Sequence, residues 1–156
     1  SVTGKNESWN GSAWTELADL NTARSGAGGS GANNTAALVY GGYPSTADTE
    51  LWNGTAWSEV GNLNTARTSL SSAGNSTNEA LAFLGYGGSP AGNVALTEDW
   101  NGASWSEVGD LSTARTQGSG TGTSTNALAF GGEVPPATGA TEEWSSSSIA
   151  SKVLTD

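Results

Sequence analysis

The sequence predicts an all-β protein made of one repeated unit, and three observations carry that prediction. A fifteen-residue string recurs as NGSAWTELADLNTAR at 10–24, NGTAWSEVGNLNTAR at 53–67 and NGASWSEVGDLSTAR at 101–115. The tryptophans keep the same register, Trp9, Trp52, Trp100 and Trp144 being 43, 48 and 44 residues apart. Gly-Gly pairs at Gly41-Gly42, Gly87-Gly88 and Gly131-Gly132 close short apolar runs. Self-similarity at a period of about 20–50 residues marks a fold of stacked repeats.

Each unit reads as four short strands. The first follows the arginine and is made of small residues, at 25–31, 68–73 and 116–121; Gly and Ala there suit a crowded place where backbones approach closely. The second is apolar and bounded by glycine: Ala36-Ala37-Leu38-Val39-Tyr40, Ala80-Leu81-Ala82-Phe83-Leu84 and Ala127-Leu128-Ala129-Phe130. A short apolar run so bounded reads as a strand buried on both faces. The third ends on tryptophan, at 7–9, 49–52, 97–100 and 141–144, and the fourth covers 56–60 and its copies. Between third and fourth sits Asn-Gly, the strongest short hairpin signal because both residues tolerate positive φ. A two-residue loop would set Trp52 opposite Thr55, and a four-residue loop would set it opposite Trp57. Either brings the two tryptophans of a hairpin into contact.

A four-stranded unit repeated about every 44 residues is the pattern of a β-propeller blade. The chain, 1–156, is read as a single repeat domain with a hairpin at 6–20 and blades at 21–62, 63–110 and 111–156, about three and a half in all. Propellers typically have about four to eight blades. Completion by a partner chain or by further sequence is therefore expected over a small or open arrangement. The last hairpin loses Asn-Gly and its second tryptophan, and Lys152-Val153-Leu154 is the candidate for the final strand.

Composition narrows the chemistry. There is no Cys and no His, which removes disulfides, thiolate ligands and the usual general base. A net charge of −10, with only five basic residues, repels phosphate, so no nucleic-acid partner is expected. No apolar run approaches the roughly 20 residues of a membrane helix, so no membrane insertion is expected.

The order apolar strand, double glycine, variable loop, Glu-x-Trp, Trp, Arg resembles the kelch repeat, with Trp-Asn where that family usually has Tyr-Asp. Strings such as ESWNGSAWTE, LNTAR, AALVYGG and TEEW, rich in Ser, Thr and Gly, are similar to kelch-like repeat proteins of marine bacteriophages, including cyanophages. That resemblance implies a virion or tail-fibre component on the virion exterior, bound to other virion proteins or further copies of itself. A secreted or cell-surface location is the alternative. The copper chemistry of one kelch-like enzyme branch needs His ligands and a Cys–Tyr crosslink, and this chain has neither His nor Cys. No cofactor and no catalysis are expected.

Repetition assigns most of the conspicuous residues to structure. Arg24, Arg67 and Arg115 share one repeat position and are expected to pair with a repeated glutamate, either Glu50 or Glu98 in the third strand or Glu16, Glu59 or Glu107 in the fourth. Trp9, Trp52, Trp100 and Trp144 share another position and are expected between blades. The loops after the double glycines do vary, and loops on a rigid scaffold carry binding more often than the scaffold does. Tyr43, Asn93 and Glu133 are the candidate ligand-binding residues, for a host-surface glycan. A carbohydrate-binding adhesin or receptor-binding module is the alternative to a purely structural virion part.

Overall fold

The structure, a computed structural model, describes residues 2–146 and the strand at 152–154. It is all-β, and its sheets are antiparallel. β1 (Glu7–Trp9) and β2 (Trp14–Glu16) form a hairpin. The first four-stranded sheet contains β3 (Gly28–Asn33), β4 (Ala36–Tyr40), β5 (Thr49–Trp52) and β6 (Trp57–Glu59), hydrogen-bonded in that order. A short strand, β7 (Arg67–Thr68), precedes the second sheet, which orders β8 (Ser71–Ala73), β9 (Ala80–Phe83), β12 (Thr97–Trp100) and β13 (Trp105–Glu107). β10 (Tyr86–Gly87) and β11 (Gly92–Asn93) join β7 in a three-stranded ribbon. The third sheet contains β14 (Ser119–Gly122), β15 (Asn126–Phe130), β16 (Thr141–Ser145) and β17 (Lys152–Leu154), so the proposed final strand is in place.

The hairpin loops have four residues. Trp52 stands opposite Trp57, Trp100 opposite Trp105 and Trp9 opposite Trp14, with ring centroids 5.4–5.5 Å apart. The Asn-Gly requirement follows from this loop. Asn53 Oδ1 accepts from the amides of Thr55 and Ala56, both at 2.9 Å, and Asn10 and Asn101 do the same in their copies. Gly54 takes a φ of +92°, open to glycine without strain.

The sheets stack through their inner strands, β3 beside β8 and β8 beside β14. Hydroxyls stitch the stack: Ser71 Oγ donates to Gly118 O at 2.5 Å and Thr116 Oγ1 to Ser69 O at 3.2 Å. Small residues there make room for rings. A Cβ on Gly120 would lie 2.1 Å from the Phe83 ring.

Two cores fill the two inter-sheet spaces. Between sheets one and two lie Leu38, Tyr40, Leu63, Leu70, Ala80, Ala82, Trp100 and Trp105. Between sheets two and three lie Ala73, Leu81, Phe83, Leu84, Ala127 and Ala129.

Two expectations need correction. The first strands start later than 25, 68 and 116, because Gly26, Ser69 and Gln117 take φ values of +61°, +53° and +56° and break the run. The residue before each makes a separate bridge or short ladder instead. The second repeat's counterpart of Gly41-Gly42 is also not Gly87-Gly88 but Leu84-Gly85. Gly41, Leu84 and Gly131 share φ values of +65°, +49° and +65°, and each donates to the carbonyl just before the third strand, at Asp48, Leu96 and Ala140. Leu84, fully buried, holds a left-handed backbone that normally favours glycine. Opposite it stands Gly118, whose Cβ would come within 2.9 Å of Leu84 Cδ2. In the first interface the bulk is reversed, a Cβ on Gly41 lying 2.4 Å from Leu70 Cδ2.

Candidate functional site

The repeated arginines and glutamates are locked inside the stack. Arg24 Nη2 meets Glu50 Oε1 at 2.5 Å, Arg67 meets Glu98 at 3.2 Å and Arg115 meets Glu142 at 2.8 Å, every side chain in these pairs being at most 2% exposed. The partner is thus the third-strand glutamate, and Glu16, Glu59 and Glu107 of the fourth strands are exposed. The link that ends in each arginine, Asn-Thr-Ala-Arg in the first two repeats and Ser-Thr-Ala-Arg in the third, wraps the carboxylate, Ser112 N–H donating to Glu142 Oε2 at 2.7 Å. Glu50 accepts from the amides of Asn21 and Thr22, and Glu98 from those of Asn64 and Thr65. Each link therefore grips the sheet that follows it. Burial pushes the Arg67 guanidinium below its ordinary value, with Glu98 opposing that shift.

The tryptophans of the third strands are structural for a further reason. Trp52, Trp100 and Trp144 donate their indole N–H to Asn34 O, Thr77 O and Ser124 O, each capping the turn between the two inner strands of its own sheet. Trp9 stands on a hairpin with no such inner strands beside it among the described residues, and it is 47% exposed.

The loops converge on one face. Ser25 bridges Tyr43, Thr68 pairs with Tyr86, and Thr116 bridges Glu133. Tyr43, Tyr86 and Glu133 therefore occupy one repeat position, at the mouth of each inner-strand pair. Ser69 N–H donates to Gly26 O at 2.8 Å and Gln117 N–H to Ser69 O at 3.0 Å, tying the three mouths together. Asn93, paired across the ribbon with Tyr86, donates its amide to Glu133 O at 3.1 Å. Gln117 Nε2 reaches Glu133 Oε2 at 3.3 Å.

Two of the three sequence candidates, Asn93 and Glu133, thus touch. Tyr43 lies on the same face, at the mouth of the first sheet. Sequence reasoning missed Tyr86 and Gln117. Tyr86 was hidden by taking Gly87-Gly88 as the register mark. Gln117 was hidden because nothing in its neighbours announces a positive φ. With Tyr43 60% and Tyr86 46% exposed, the face offers two aromatic surfaces, two amides and a carboxylate. Such a set can stack on the apolar side of a sugar ring and bond its hydroxyls. It holds no nucleophile paired with a base. Among the described residues no group of three His, Cys, Asp or Glu is placed to hold a metal ion.

No protein-family model matches the chain, and no curated protein matches it.

Proposed function

We propose that the protein is a non-enzymatic structural component of a bacteriophage virion, in a fibre, tail or capsid-decorating position. On this reading it is built of about three and a half kelch-like propeller blades. The observation that carries the reading is the burial of all three Arg–Glu pairs in the stack, which leaves the repeated charges to hold sheets together. Support for the virion comes from the resemblance of the repeat strings to marine phage kelch-like proteins. The acidic, thiol-free composition suits an exterior exposed to salt and oxidant. The expected partners are other virion proteins or further copies of the chain, on the virion exterior.

The test is to express the tagged chain in an infected host and examine purified particles. A fixed copy number per particle supports the reading. Absence from particles overturns it, and so does polysaccharide turnover that is lost on changing one non-repeated carboxylate.

A second reading, a carbohydrate-binding or receptor-binding module, is favoured by the contiguous Tyr86, Asn93, Glu133 and Gln117 surface. A glycan screen tests it. Binding abolished by Tyr86→Ala and by Glu133→Ala supports this reading, and no binding to any glycan removes it.

A further inference from the structure

The two ends of the stack are unlike, and each resembles one half of the interface that sheets one and two make with each other. Leu38 and Tyr40 on β4, and Leu81 and Phe83 on β9, point forward onto the next sheet and are 0–3% exposed. Their counterparts on β15, matched through the pairing of β15 with β16, are Leu128 and Phe130. These are 37% and 38% exposed.

At the other end, Trp100 and Trp105 point backward from the second sheet and are 2% and 5% exposed. Trp105 lies edge-on to Tyr40, with centroids 4.7 Å apart. Their counterparts on the hairpin, Trp9 and Trp14, are 47% and 64% exposed. The hairpin turns its other side inward: Asn34 Nδ2 of the first sheet donates to Ser8 Oγ at 2.8 Å. Trp9 and Trp14 therefore face away from the stack.

From these two faces we infer that the Leu128–Phe130 face of one chain receives the Trp9–Trp14 face of a second copy, head to tail. This contact continues the internal one, Phe130 standing to Trp14 as Tyr40 stands to Trp105. Glu7, the hairpin's counterpart of Glu50 and Glu98, is exposed, so the contact includes no buried ion pair of the kind that the internal interfaces hold. The copy-to-copy contact is accordingly weaker than the internal ones and reversible. Each contact uses two different faces, so two copies can close on each other or more can add in line. The contact depends on the two exposed faces alone, whether or not the protein belongs to a virion.

The test measures native mass across a wide dilution series at moderate salt, where repulsion between acidic copies is screened. The expected result is association that grows with concentration, weakened at least about tenfold by Trp14→Ala alone and by Phe130→Lys alone. Mixing the two variants is the decisive step. Trp14→Ala keeps a sound Phe130 face and Phe130→Lys keeps a sound hairpin, so the mixture should form one-to-one pairs that grow no further. If Phe130→Lys fails to fold, Leu128→Asp replaces it. A monomer at every concentration overturns the inference. So does association that both variants leave unchanged, or a mixture that stays monomeric.

Discussion

The interface between sheets one and two is wedged by an aromatic cluster, and the interface between sheets two and three is not. In the first, Trp105 reaches back to donate its indole N–H to Thr49 Oγ1 at 3.0 Å and meets the Tyr40 ring, while Tyr40 donates its hydroxyl to Leu81 O at 3.2 Å. In the second, Phe83 replaces Tyr40 and brings no hydroxyl, and the sequence after Trp144 contains no tryptophan to stand opposite Thr97. The position held by Leu51 in the first is Asp99 in the second, with Oδ1 buried and unpartnered. Both arginines leave Nε unpartnered, but Arg67 donates to two carbonyls, Leu96 O and Ala82 O, besides pairing with Glu98, whereas Arg115 leaves Nη2 unpartnered as well. One repeat unit thus makes two interfaces of different quality. The difference comes from a few side chains on a nearly constant backbone.

The largest expected effect breaks the better interface. Trp105→Ala removes a buried indole and its hydrogen bond and should cost about 3–5 kcal/mol in urea unfolding. An equal loss from Trp14→Ala, on the exposed hairpin, would refute the wedge. Next, Arg67→Met strands Glu98 in the core and should cost about 3–5 kcal/mol. Arg115→Met should cost less, because that arginine satisfies fewer groups, and equal losses would erase the contrast. Tyr40→Phe, which makes the first interface resemble the second, should cost about 1 kcal/mol.

The smallest effect improves the weaker interface. Desolvation, with Glu79 nearby, raises the Asp99 pKa above the usual carboxylate value of 3.8. The folded protein then holds this proton more tightly than the unfolded chain does. Asp99 alone therefore makes stability fall as pH rises through the window just above 3.8. Asp99→Leu should remove that slope and raise stability at neutral pH by up to about 1 kcal/mol, small because the group is partly exposed. Thermal melts at acidic and neutral pH check it.

The strands were largely legible in the sequence because their signals are local. Trp52, Trp100 and Trp144 mark the third strand, Asn-Gly marks the hairpin, and β5 and β12 fall where their spacing places them. The Arg–Glu partnership was legible as a pair but ambiguous between two strands. Both glutamates recur with the same period, and only the path of the Asn-Thr-Ala-Arg link separates them. The candidate site was half legible. Variable loop chemistry pointed to Tyr43, Asn93 and Glu133, but the equivalence of Tyr86 with Tyr43 depends on Leu84 adopting a glycine conformation. That choice is enforced by the room Gly118 leaves in the next sheet, a contact far away in sequence.

The exchange of bulk between Gly41–Leu70 and Leu84–Gly118 also answers a danger built into near-identical repeats. A chain that spells one motif three times invites its own segments to pair out of turn during folding. If sheet two followed a copy of itself, Leu84 would collide with Leu70. If sheet three followed sheet one, Gly41 would face Gly118 across a hole. The native order sets large against small at both seams. The seam residues thus act as a lock and key that disfavours those two misassemblies in a chain of look-alikes.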